Sequence, residues 1–253
     1  MKSADPVIHN PIPDSLKNTI LPEHQLQIRT LGVLEIWLDG GRLHFPFARC
    51  GELIVWLALN GAATRSKIID ALWDGSRNPS HLEYFRVVVR RTRATLSKSG
   101  NLNFNPLLFE NNLYRLAPEL TIQTDVLKLK AALQTTNLEQ LQNALESYHG
   151  EFMTHIYREW VNAWKTNTLD AALAIALYLG ERLEMTDPQA ARDAYQRAVE
   201  LEPYNQMAHQ GLIRVSEKLG EHGAVMVARK VYERIFQQEL NRYQIDPSIT
   251  RSA

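Results

Sequence analysis

The chain has 253 residues, 45% hydrophobic and 22% charged, with 28 basic and 28 acidic side chains. Those proportions exclude a disordered chain, and a single cysteine, Cys50, excludes an internal disulfide scaffold and fits a reducing compartment. No run approaches the roughly 20 apolar residues of a membrane helix, so the expectation is a cytoplasmic protein with no membrane partner.

Residues 1–24 carry Pro6, Pro11, Pro13 and Pro22 among polar neighbours and read as a flexible leader without a secretory signal. Gln27–Leu31 and Val33–Leu38 then alternate apolar with polar residues, the period of half-buried strands. Asp39-Gly40-Gly41 supplies a hairpin turn, and Arg42–Phe45 returns as a third strand.

Three helices follow. Arg49–Leu59 places Leu53, Trp56 and Leu57 at helical spacing and stops at Asn60-Gly61. Thr64 caps a short helix with Ile68, Ile69, Leu72 and Trp73 on its apolar side. The third opens at Ser80 with a Ser80…Glu83 capping box and runs to Lys98. A hairpin comes next, from Asn103 to Phe109, through a turn at Asn111-Asn112, and back along Leu113–Leu116.

From Asp125 to about Leu240 helix succeeds helix, with breaks at Thr135–Asn137, His149-Gly150, Thr186–Pro188, Pro203 and Gly220. A 34-residue period sets Ala190 over Ala224, Ala194 over Ala228 and Leu201 over Ile235. Ala191, Tyr195, Ala198 and Pro203 match the small, aromatic, small and proline positions of a tetratricopeptide repeat. The period alone fits a repeat array or an ordinary helical bundle. Trp160, Trp164, Tyr157 and Tyr148 read as core packing between helices. A concave surface between repeat helices is a reasonable partner site.

The expected fold class is therefore an α+β winged helix-turn-helix domain followed by an all-α, tetratricopeptide-like helical repeat domain. The expected boundaries are leader 1–24, winged helix 25–118, helical domain 119–248 and tail 249–253. Charge follows the same division. Residues 23–118 hold 12 basic against 8 acidic side chains, and residues 119–253 hold 14 against 18. A basic first half joined to an acidic second half is a sign of a DNA-binding module carrying a partner module.

The third helix carries the chemistry. At 100° per residue, Phe85, Val88, Val89, Thr92 and Leu96 share one direction and form the core face. Glu83, Val87, Arg90, Arg91, Ala94 and Lys98 lie opposite, with Arg86 and Arg93 on the flanks. Five basic residues and no acid stand between Tyr84 and Lys98. Arginine forks suit guanine edges and phosphates, and small residues such as Val87 and Ala94 let a helix approach bases closely. The hairpin would be the wing, with Arg115 a candidate phosphate or minor-groove contact. Ser66 and Lys67, at the start of the second helix, are candidate phosphate donors.

These segments resemble the Streptomyces antibiotic regulatory protein family. Arg29–Ile36 is similar to its opening strands, Ile69–Asp74 to its second helix and Phe85–Leu96 to its recognition helix, with Thr92 where a leucine is usual. Thr124–Val126, Tyr148–Phe152, Leu201–Tyr204 and Ile245–Ser248 resemble landmarks of the bacterial transcriptional activator domain. The resemblance implies an OmpR/PhoB-type winged helix that binds direct repeats in double-stranded DNA, usually as a head-to-tail homodimer, and recruits RNA polymerase as an activator. The wing departs from the family in having Asn111-Asn112-Leu113 where glycines are common. No receiver domain ahead of the winged helix is expected, and no Gly-rich phosphate loop ending in Gly-Lys-Ser/Thr occurs in the 253 residues.

No enzyme is expected. The eight histidines show no HExxH or paired ligand spacing, GxSxG is absent, and no metal or cofactor is implied. Cys50 sits at a helix start that can stabilise a thiolate, but reads first as a buried small hydrophobe. Zero net charge keeps a second reading open: a protein-interaction adaptor, or the effector portion of a larger sensor, with little DNA binding.

Overall fold

A computed structural model describes residues 24–75 and 78–243. The expected leader (apart from His24), the expected tail and the Ile245–Ser248 landmark lie outside them.

The opening alternation forms β1 (His24–Arg29), which buries Leu26 and Ile28, and β2 (Glu35–Leu38), which buries Ile36 and Leu38. Asp39 and Gly40 take φ of 52° and 80°, the two left-handed positions of a tight hairpin, and lead into β3 (Gly41–Arg42). Trp37 faces Arg42 and Leu38 faces Gly41. The third strand is two residues long rather than four. Pro46 has no N–H to extend a ladder, and the chain turns into α1 (Ala48–Asn60). Gly61, at φ 73°, ends α1 by donating its N–H to Leu57 O at 2.8 Å, as Asn60-Gly61 predicts.

After α2 (Arg65–Leu72), α3 (Pro79–Ser99) begins one residue earlier than expected. Proline suits the first helical position because no N–H is needed there. Ser80 therefore lies inside the helix, and the Glu83 carboxylate accepts from Arg86 at 2.6 Å. The hairpin is β4 (Leu107–Glu110) with β5 (Leu113–Leu116), antiparallel, Leu107 opposite Leu116 and Glu110 opposite Leu113. Asn111 and Asn112 take φ of 49° and 64°, which asparagine tolerates. Residues 103–106 stay outside the ladder: Pro106 lacks a donor, and the Asn105 side chain accepts the Leu107 N–H at 3.2 Å.

A strand without counterpart in the sequence reading, β6 (Leu120–Thr124), completes a sheet ordered β3-β2-β1-β6. The helices α4 (Asp125–Ala132), α5 (Leu138–Glu146), α6 (Glu159–Leu183), α7 (Pro188–Leu201), α8 (Gln206–Lys218) and α9 (His222–Tyr243) follow. The breaks between them coincide with the predicted ones, and at several of them polar side chains cap the following helix. Thr124, Asn137, Asp187 and Asn205 each accept a backbone N–H of the first turn. The architecture is thus a winged-helix-like α+β region followed by an all-α region with tetratricopeptide-like helix pairs.

The described residues form two compact units, one of residues 24–27, Trp37–Ile68 and Pro79–Ile122, the other of Ile28–Ile36, residues 69–75 with Asn78, and residues 123–243. In the first, α1 is buried from Cys50 to Leu57, and α3 contributes Phe85, Val88, Val89, Thr92 and Leu96 to the core. All five lie on the face predicted from helical spacing. Thr92 is fully buried, and among the described residues its hydroxyl has no partner beyond the weak acceptor Sγ of Cys50. Replacing Thr92 by Val keeps the shape and removes that polar group, so Thr92→Val raises stability by about 1 kcal/mol in urea denaturation. An unchanged or lowered midpoint contradicts this.

In the second unit the repeat signature is explained by one side chain. Tyr195 of α7 is 4% exposed, and Cβ atoms built on Gly180 of α6 and Gly211 of α8 would stand 2.7 Å and 2.4 Å from its ring. Only glycine admits the ring from either side. Gly211→Ala forces overpacking against a ring that Gly180 prevents from retreating, and costs about 1–3 kcal/mol in thermal or urea unfolding; a variant as stable as wild type would refute that packing. Around the Tyr195 hydroxyl, Glu184 accepts at 2.6 Å and is also bonded by Arg214. That hydrogen bond from Arg214 holds the Glu184 carboxyl below its usual range, while burial raises the Tyr195 phenol.

Further along, Trp164 stacks on the buried Phe152 at 5.7 Å and Trp160 meets it edge-on at 6.1 Å. Tyr148 is buried, as expected of core packing, but Tyr157 is 75% exposed and instead lies under the Lys165 ammonium at 4.8 Å. It precedes the first turn of α6, so helical spacing does not govern it. Among the described residues no helix is long and apolar enough to cross a membrane.

Candidate nucleic-acid interface

The outer face of α3 is built by exclusion. Five side chains turn inward, and the helix is locked by neighbours on either side. The Cys50 thiol of α1 donates to Val88 O at 3.8 Å, and Phe85 packs edge-on against Tyr114 of β5 at 5.1 Å and 88°. Burial pushes the Cys50 thiol up, in keeping with a small core residue rather than a reactive thiolate.

Opposite that core, Arg86, Arg90, Arg91, Ala94 and Lys98 are exposed and Val87 is half-buried. Arg90, Arg91 and Lys98 make no hydrogen bond or ion pair with any other described residue. Their donors are therefore available, on a helix whose position is fixed from behind. Arg86 is held by Glu83 in an i,i+3 pair at 59% and 72% exposure, which water and salt weaken readily.

Arg93 and Arg115 are placed differently. Arg93 is half-buried, and its Nε donates to Leu107 O at 2.8 Å, tying α3 to the first wing strand. Arg115 pairs with Glu110 across the wing at 2.8 Å, both partly exposed. Ser66 and Lys67 are exposed in the first turn of α2, a separate helix. The structure thus brings the α3 residues and the wing into one arrangement through Arg93 and Phe85. An antiparallel bridge between Ala63 and Tyr114 joins the loop before α2 to the same wing.

Two aromatic features of this surface are not singled out by sequence reasoning. Phe109, 50% exposed on β4, lies tilted on Tyr114 at 4.5 Å, so a row of aromatic contacts runs from the wing surface through Tyr114 to Phe85 in the core. Tyr84, 36% exposed on α3, meets Phe47 edge-on at 5.9 Å. Their only sequence signal is strand alternation for Phe109 and adjacency to the core face for Tyr84. Chemically, the surface offers several cationic forks and one ammonium around small side chains, with the Glu83 and Glu110 carboxylates at its edges, a donor-rich surface suited to polyanions and to acceptor edges.

No family model matches the chain, and no curated protein matches it. Among solved structures it is similar to Mycobacterium tuberculosis EmbR in complex with a low-affinity phosphopeptide, with a TM-score of 0.63 and 19% sequence identity. The likeness covers 89% of this chain and 62% of that one, so this chain spans less than two thirds of the chain it matches. What the two share is the fold.

Proposed function

We propose that the chain is a sequence-specific, DNA-binding transcriptional regulator of the cytoplasm. Residues 25–118 act as the winged-helix module and residues 119–248 as the helical activator domain. The observation that carries this reading is the outer face of α3, where Arg90, Arg91 and Lys98 have no hydrogen-bond or ion-pair partner among the described residues while the opposite face is buried. The fold shared with EmbR, a regulator, supports it.

In this reading α3 lies in the major groove. Arg90 and Arg91 address base edges, and Val87 and Ala94 let the helix come close. Arg86 exchanges Glu83 for a phosphate, and Lys98, Ser66 and Lys67 touch the backbone. Arg93 positions the wing, and Arg115 reaches a phosphate or the minor groove once released from Glu110. Two copies sit head to tail on direct repeats near a promoter, and the acidic helical domain engages RNA polymerase as an activator. No catalytic step, metal or cofactor enters.

Selection of bound sequences from random duplex DNA tests this. The expected result is an enriched motif with directly repeated half-sites; recovery without any motif counts against it. The balanced formal charge favours one alternative, an interaction adaptor or the effector portion of a sensor. A stoichiometric protein partner together with failed DNA selection would establish that alternative.

A further inference from the structure

We propose that Glu83, the single acidic residue of α3, determines specificity: its carboxylate accepts from the exocyclic amino group of a cytosine in the major groove. This rests on α3 being the DNA-reading helix and adds the identity of one base that it selects.

Glu83, Val87, Arg90 and Ala94 follow one another at steps of four, three and four residues, so they form one row along the helix. At 100° per residue that row lies opposite the buried Phe85, Val88, Val89, Thr92 and Leu96. Glu83 is its N-terminal end, the part of a recognition helix that reaches base edges. The side chain is 72% exposed, and Oε1 accepts from Arg86 Nη1 at 2.6 Å. Oε2 makes no hydrogen bond to another described residue. The other charged side chains of α3 are Arg86, Arg90, Arg91, Arg93 and Lys98, all cations.

An anion on this row opposes DNA binding unless the DNA supplies it with a donor. Arg86 does not fill that need, because it leaves Glu83 when it turns to a phosphate. In the major groove the base donors are the N4 amino group of cytosine and the N6 amino group of adenine. Adenine carries the N7 acceptor beside its amino group, which repels the second carboxylate oxygen. Cytosine has only C5–H there, while guanine and thymine set acceptors against the carboxylate. Cytosine is therefore the base that fits. The row also places it. Seven residues separate Glu83 from Arg90, about 10 Å of helix rise, and base pairs stack about 3.4 Å apart. The cytosine then lies about three base pairs from the base that Arg90 addresses.

The test selects random duplex DNA in parallel with the full chain as wild type, Glu83→Gln, Glu83→Ala and Arg90→Ala. Dissociation constants are then measured on the wild-type site with each of the four bases at the cytosine position. Wild type is expected to prefer cytosine there at least about fivefold over the other bases. Glu83→Gln offers a donor beside an acceptor and is expected to move the preference to adenine. Glu83→Ala is expected to abolish the preference at that position alone. Neither change disturbs the fold, because Glu83 packs against no core residue at 72% exposure. A pair that served only to hold Arg86 would change affinity in both variants without changing the base at any position. If Arg90→Ala alters the motif and the Glu83 variants do not, this proposal fails and the DNA-reading helix stands. If no variant alters the motif, or none is recovered with wild type, both fail.

Discussion

Replacing Arg90 and Arg91 together by alanine weakens binding to the selected DNA site by about 1–3 kcal/mol for each arginine that addresses a base edge, and relaxes the preference at the base pairs those side chains read. The measurement is a set of dissociation constants for wild type and variant on the selected site and on single-base variants of it. Stability is expected to stay within about 0.5 kcal/mol, because both side chains are exposed and bonded to no other described residue. That separation is what makes the variant informative: a weakened preference cannot then be ascribed to unfolding. Lys98→Ala is the internal comparison. A phosphate-binding lysine gives a smaller loss of affinity, equal across sequences, with a shallower salt dependence. A double variant that binds as tightly and selectively as wild type would mean that the exposed face of α3 is a solvated surface and nothing more.

Asp125→Ala is expected to be the most destabilising single change in the helical unit, by about 3 kcal/mol or more. The carboxylate at the start of α4 accepts from the Thr30 N–H at 2.7 Å, the Thr30 hydroxyl at 2.7 Å, the Leu31 N–H at 2.8 Å and the Val126 N–H at 2.8 Å. Thr30 is fully buried and Leu31 is 3% exposed, so truncation leaves donors unmet in the interior, each costing about 1–3 kcal/mol. The carboxylate also opposes the positive end of the helix. Asp125→Asn keeps one acceptor oxygen and is expected to fall between wild type and alanine. Urea denaturation of the three proteins at neutral pH gives the comparison. A loss of stability below about 0.5 kcal/mol would show that Thr30 and Leu31 find other acceptors.

Thr30 also marks where sequence reasoning stops. Local features were legible because they are periodic or conformationally demanding. The inward face of α3 follows from 3.6-residue spacing, the wing turn from two adjacent asparagines, and the helix breaks from Thr186–Pro188, Pro203 and Gly220. The outward arginines are legible for the same reason, as the complement of the core face. What escaped depends on partners far apart in the chain. Nothing near Asp125 indicates that it serves residues 95 and 94 positions earlier. Helical spacing sets Arg93 on the flank and Arg90 opposite the core, but nothing on α3 indicates that Arg93 is drawn to the Leu107 carbonyl. β6 is five residues long and reads as an approach to a helix cap until β1 is beside it. Gly180 and Gly211 look like weak points within helices, and only the inserted Tyr195 ring explains both.

The central claim is that the chain reads DNA with α3, and the most direct test is the affinity of the purified protein for its selected site and for a scrambled duplex across a salt series. The account predicts a straight, steep fall of log affinity with log salt for both duplexes, through release of condensed counterions, with the selected site tighter throughout. Binding that is absent at low salt, or that fails to distinguish the two duplexes at any salt, would contradict it.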